Sequence, residues 1–331
     1  MAKSRQEIIN HNDGVYPYHI THSCIRKTQL CGKHPITGKD YEFRRRQIEK
    51  RLFYLHSVMA IDIAAYGIIH THYHLVVIPN PDQAKAWSDY EVVRRWFCLH
   101  KSHNYPKMEA WYNNPSEVKR DVHINKTIQS WREQLMHISK FMAILNHAIA
   151  VQANKDENMK STSFWEKRYK SYRLPTRDDM LRCMSYNELN PIRARIANTP
   201  EESKHTSLYQ RIHNDISQTH DLIEGMPEHN YDRLAQFGIE LKPLLPFKDT
   251  QASEDEWGID CHFEAYKELV DWTGRAIRPD KRGWIDNSLP PIAQRLAKNT
   301  KDWLKQLYSY DAHRHGRLME FGKTEEPTLP I

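Results

Sequence analysis

The order of patterned segments predicts an α+β fold, closest to the ferredoxin-like split βαβ arrangement. Three observations carry this. Stretches at 17–26, 61–69, 72–79 and 164–174 read as strands. The segments between them show helical spacing of apolar residues. The resulting order is strand, helix, strand, strand, helix, strand, helix.

The first strand, "YPYHITHSCIR", alternates and carries β-branched residues. In "KDYEFRRRQIEKRLFYLHSVMA", Phe43, Ile48, Leu52, Leu55 and Met59 fall near helical spacing with basic residues between them, an amphipathic helix. "IDIAAYGII" reads as a buried strand and "HYHLVVIP" as another, closed by Pro79. Residues 81–127 are rich in Trp, Asn and Pro; one helix, "DYEVVRRWFCLH", and then irregular structure are expected. Across 127–152, Ile128, Trp131, Leu135, Ile138, Met142, Leu145 and Ile149 predict a single long helix. "FWEKRYKSYRL" reads as a basic strand, with Trp165 expected in the core. The next helix has a clear start, Thr176 as N-cap with Asp179 three residues on, and Pro191 should kink or stop it. Residues 216–260 are acidic and read as a linker, and 261–331 as a mostly helical region.

Composition narrows the function classes. No apolar run reaches the roughly 18–20 residues that span a bilayer. The start has no apolar h-region, so no secretory signal is expected. Five cysteines, an odd number without paired spacing, argue against a disulfide framework or zinc ribbon and for the cytoplasm. The net charge of +6 is uneven: residues 1–200 hold 31 Lys and Arg against 19 Asp and Glu, and the remainder is net acidic. That field suits a polyanion such as nucleic acid, or is a solvated basic face.

Chemistry concentrates in "HTHYHLVV", residues 70–77. Side chains alternate along a strand, so His70, His72 and His74 should share one face. Two neutral imidazoles two residues apart on a strand suit one divalent cation; the alternative is a polar sheet face with hydrogen-bonded imidazoles. The helix after Thr176 offers Arg182, Tyr186, Asn190 and Arg193 at helical spacing. That face is either solvated or a kit for phosphate chemistry: a nucleophile, an oxygen ligand and two anion clamps.

Together, the histidine pair on a strand and the helix "YNELNPIRA" resemble the single-tyrosine HUH transposases, within the IS200-like group, and best their REP-associated tyrosine transposase branch. The resemblance covers about residues 16–215 and, more loosely, 263–305. It implies an HUH nuclease domain over 1–215, with an insertion at about 81–127 and a C-terminal region that contacts a DNA hairpin. It implies metal binding by His72, His74 and Asn190, attack by Tyr186, and Mg²⁺ or Mn²⁺ as cofactor. The implied substrate is single-stranded or hairpin DNA, cut through a 5′-phosphotyrosine, by a monomer or homodimer. Where the family often has Pro-Asn before its histidine pair, this chain has His70 and Thr71; His70 is expected to touch DNA rather than metal. Lys167, Arg168, Lys170 and Arg173, and the arginines of "FRRRQIEKR", are expected to hold backbone phosphates. The turn "GRAIRPDKRG" could touch a hairpin stem or be solvated.

Two readings compete with the nuclease. One is a hairpin-binding protein that no longer cuts. The other is a zinc hydrolase on His70, His72 and His74, for which no HExxH-type helix is present. An RNA-binding sheet of RRM type would need exposed aromatics on its central strands, and the histidine strand lacks that pattern.

Overall fold

Residues 15–25, 29–159, 163–213, 233–248, 257–276 and 282–296 are described by a computed structural model of the chain. Strands β1 (Tyr18–Ser23), β2 (Ile61–Ile68), β3 (His72–Pro79) and β4 (Lys170–Arg173) form one antiparallel sheet in the order β2-β3-β1-β4. Alternation sets its two faces. Tyr18, Ile20 and His22 of β1 lie opposite Val77, Leu75 and Tyr73 of β3 on one face. On the other face, Thr21 lies opposite His74, Ser23 opposite His72, and His19 opposite Tyr172 of β4. The expected strand over 164–174 is shorter. Trp165 makes an isolated bridge to Cys24, and 166–168 bend before β4 begins. The Trp165 indole causes this by stacking on His22 at 4.2 Å and donating to the Asn146 carbonyl at 2.9 Å.

Helices α1 (Phe43–Val58) and α6 (Ile138–Asp156) cover the first face. The Tyr73 hydroxyl donates to Asn146 Oδ1 on α6 at 2.5 Å, and Tyr66 donates to Glu49 on α1 at 3.0 Å. Around these bonds, Leu52, Ile63, Leu75, Val77, Phe141 and Leu145 are fully enclosed. Two arginines expected to hold phosphates are enclosed as well. Arg44 pairs with Asp156 and Glu157, and Arg45 pairs with Glu42 and donates to the Ile68 carbonyl.

The single long helix expected at 127–152 is two, α5 (Val122–Leu135) and α6, with His137 extended between them. The apolar stripe runs on because both helices bury it. The break leaves the Leu135 carbonyl to accept the Ala60 N–H at the end of α1. The insertion is also more regular than expected. Helices α2 (Pro81–Ala86), α3 (Asp89–Leu99) and α4 (Pro106–Asn113) precede α5. Side chains of Asn80, Ser88 and Asp121 cap the starts of α2, α3 and α5. Trp96 and Trp131 stack at 4.8 Å where α3 meets α5.

Helix α7 (Arg177–Arg193) crosses the second face over β2 and β3. Thr176 caps it, accepting from Asp179 N and donating to the Asp179 carboxylate, and Pro191 falls in its last turn. Gly67 lets it come close: a Cβ there would lie 2.8 Å from the Asn187 carbonyl. The next helix, α8 (Ser207–His213), is tied to α7 through Glu188, which accepts from Leu208 N at 2.9 Å and from the Ser207 hydroxyl. Burial pushes the Glu188 carboxyl up to about 7, against the pull of these donors and of Arg211.

Part of the expected linker is packed. Leu234, Leu244 and Leu245 are buried, and Leu245 N donates to the Ile63 carbonyl. Lys242 pairs with buried Asp62 at 2.5 Å, and the Pro243 carbonyl lies 2.8 Å from His56 Nε2. Helix α9 (Phe263–Arg275) packs on α7 at Gly274, where a Cβ would meet Leu189 at 2.8 Å. The compact unit containing the sheet spans Met1–Ile285, so it takes in both this stretch and α9. A second unit spans Asp286–Ile331; its described part is a turn at Asp286 followed by α10 (Ile292–Leu296). The five cysteines form no disulfide, and no helix among the described residues is long and apolar enough to cross a membrane.

Candidate functional site

The β2–β3 connection ends in the bend at 70–71, and β3 then carries His72 and His74 on the face that α7 covers. The His72 and His74 rings meet edge to face at 4.8 Å. Tyr186, on α7, sets its ring 5.4 Å from that of His74, also edge to face. It remains 38% exposed, so a substrate can reach it. Strand and helix thus bring together three of the side chains singled out in the sequence. Asn190 follows Tyr186 by one helical turn. It is buried, and its Nδ2 has no hydrogen-bond partner among the described residues.

A further histidine joins the cluster. His19, on β1, stacks on His74 with centroids 5.2 Å apart, and its Nε2 lies 3.0 Å from His74 Nδ1. Burial lowers the His19 pKa to about 4, so its ring is neutral near neutrality. The Tyr172 ring lies 6.1 Å from His19, and that of Tyr186 6.3 Å. Periodicity could have flagged His19 as facing across β1. The expected split βαβ arrangement also sets β1 beside β3, and that adjacency makes His19 part of the site.

The other expected site residues divide. His70 lies outside β3, in the bend, and its ring packs on the bare Cα of Gly32 beside Arg45 and Glu42. It therefore does not continue the face of His72 and His74. Burial, then Arg45, lowers its pKa. Arg193 does not stand as an anion clamp. Its guanidinium donates to the carbonyls of Thr273, Ala276 and Gly283, tying α7 to the end of α9. Arg182 is exposed and makes screened pairs with Asp178 and Asp179. Lys167, Arg168 and Lys170 are exposed, with Lys170 on the histidine face opposite Thr21. Arg173 lies on the other face, 3.3 Å from the centroid of the Tyr16 ring. Arg275 pairs with Asp271, while Arg278 and Lys281 lie outside the described residues.

The donor atoms near Tyr186 are two imidazoles and a carboxamide. Nδ1 of His72 is bonded to the Thr71 hydroxyl at 2.9 Å and Nδ1 of His74 to His19, so a metal would be taken through the Nε2 atoms. Among the described residues no three His, Cys, Asp or Glu gather as a metal site. A closed, zinc-like site is therefore not built here, and His70 does not supply its third ligand. A sparse set completed by an amide oxygen fits a cation that keeps positions open for phosphate oxygens, as Mg²⁺ and Mn²⁺ do. The unpartnered atom of buried Asn190 is its Nδ2, a donor, so Asn190 could serve a cation only through Oδ1.

No protein-family model matches the chain, and no curated protein matches it. A solved structure of a REP-associated tyrosine transposase bound to a REP hairpin is similar over 66% of this chain and 87% of that one, at 10% identity and a TM-score of 0.32. At that level nothing is carried from that protein to the residues of this one.

Proposed function

We propose that this chain is a metal-assisted tyrosine endonuclease and strand transferase acting on single-stranded DNA beside a hairpin. The observation that carries the reading is the approach of Tyr186 to His74: the ring of an exposed phenol lies 5.4 Å from that of one member of the strand-borne imidazole pair. The sheet order, with both connecting helices on one face, supports a ferredoxin-like HUH domain.

His72, His74 and Asn190 would hold the cation. Bound Mg²⁺ or Mn²⁺ would supply Lewis-acid polarisation of the scissile phosphate. The Tyr186 oxygen attacks phosphorus as its proton departs, and the P–O3′ bond breaks. The 3′ oxygen takes up a proton, and the 5′-phosphate remains on the tyrosine. Attack by another 3′-hydroxyl reverses the exchange and frees the phenol. One phosphodiester is traded for another, so no nucleotide cofactor is needed. His19 positions His74, while Lys167, Arg168, Lys170 and Arg182 are placed to meet backbone phosphates. One chain can supply both sides of the site, which suits a monomer as well as a homodimer.

Incubation of the full chain with end-labelled hairpin DNA and Mn²⁺ should give an adduct that survives SDS. Tyr186→Phe should abolish it and leave the melting temperature within about 2 °C of the parent, as expected for a change at the surface. Tight hairpin binding by the parent without any adduct would replace this reading with that of a non-catalytic binder.

A further inference from the structure

Beside Tyr186, helices α7 and α9 enclose a groove of about 320 Å³ lined by Arg182, Ser185, Tyr186, Leu189, Leu269 and Thr273, among others. We propose that this groove seats an unpaired nucleotide next to the scissile phosphate, with Trp272 as the surface on which its base stacks. The inference rests on the nuclease reading for the polarity of the strand, but the binding it describes stands apart from cleavage.

Four observations point to a nucleotide. The volume is at the lower end of the roughly 300–1,000 Å³ of small-molecule sites, enough for one base and its sugar. The walls pair apolar Leu189 and Leu269 with the hydroxyls of Ser185 and Thr273, and no carboxylate lines them. Trp272 is 74% exposed; it flanks the groove rather than lining it, at i+3 from Leu269 and i−4 from Ala276 of the α9 wall. An indole left in water at the edge of this groove offers a face on which any base can stack.

Charge selects the strand's path. The last turn of a helix presents carbonyls and partial negative charge, which would repel a phosphate at this end of α9. Arg193 cancels that by taking the Thr273 and Ala276 carbonyls. Glu268, one turn before Trp272, keeps phosphate from the other end of the helix. The backbone therefore passes on the side of Arg182, whose side chain is 75% exposed. The base turns toward Trp272, and the phosphate stays at Tyr186.

The test uses the full chain and two fluorescein-labelled probes, single-stranded dT12 and a blunt 12-base-pair duplex, read by anisotropy. Trp272→Ala should weaken dT12 binding about tenfold, Trp272→Phe should retain most of it, and duplex binding should change less than twofold. Trp272 is exposed, so both variants should fold as the parent does. Equal dT12 binding by Trp272→Ala, no dT12 binding by the parent, or an equal loss for duplex each overturns the proposal. Adduct formation at Tyr186 is scored separately. An adduct with no effect of Trp272 removes the groove and leaves the nuclease; a Trp272 effect without adduct does the reverse.

Discussion

His19 meets His74 through one imidazole–imidazole bond, and that bond fixes which nitrogen of His74 faces a ligand. Replacing His19 by Phe keeps an aromatic ring and removes the bond. Titration calorimetry with Mn²⁺ should then show affinity about tenfold weaker, the usual scale for losing a group that orients a metal-binding histidine. Unchanged affinity would mean that His19 only packs. Periods of two and of about 3.6 set His72, His74 and Tyr186 on faces without knowledge of the fold, but they set His70 and Arg193 there too; the family resemblance singled out the pair and the tyrosine. His19 was not singled out, because its importance comes from strand order, which no local pattern encodes. Arg193 misled for a related reason. Its spacing matches that of Tyr186, but its donors meet the carbonyls of a helix some 80 residues away in the chain.

The placement of α7 decides the site. Gly67 sets how close the helix lies to β2, since a Cβ would sit 2.8 Å from the carbonyl of Asn187, the residue after Tyr186. Gly67→Ala should push α7 outward, lower stability by about 1–3 kcal/mol in urea unfolding, and reduce adduct formation even where the protein remains folded. Full adduct yield from a destabilised variant would separate the helix position from the chemistry. Helix starts were legible wherever a capping side chain preceded the apolar stripe, as at Thr176. Interruptions were harder to read. The break at Met136 and His137 has no Gly or Pro, and α5 and α6 bury a continuous stripe on different partners. The basic run before β4 reads as strand, but Trp165 pins it to Asn146 and it bends instead.

Across the whole molecule, a stretch expected to link domains closes over the sheet unit. His56 is fully enclosed there, between the Ile61 and Pro243 carbonyls and near Lys242 and Asp62. Burial, then Lys242, lowers its pKa from 6.5 to about 4, against the two carbonyls, which favour the doubly protonated ring. The lowered value makes its contribution complete above pH 6.5 and declining as pH falls toward 4. His56→Gln should flatten the stability profile in that window, measured by denaturant titration at several pH values; an unchanged slope would assign it to other histidines. The acidic composition of 216–260 as a whole hid this packing: 233–248 itself carries Leu234, Ile239, Leu244 and Leu245, which are buried, and it also reaches its partners through long-range bonds. Helix α7 is also clamped on both flanks, by Glu188 to α8 and by Arg193 to α9. On the proposed chemistry, a phenol on so braced a helix would not ferry a captured strand from place to place; the DNA would do the travelling, and mixing a copy that lacks the imidazole pair with one that lacks the phenol should restore nothing.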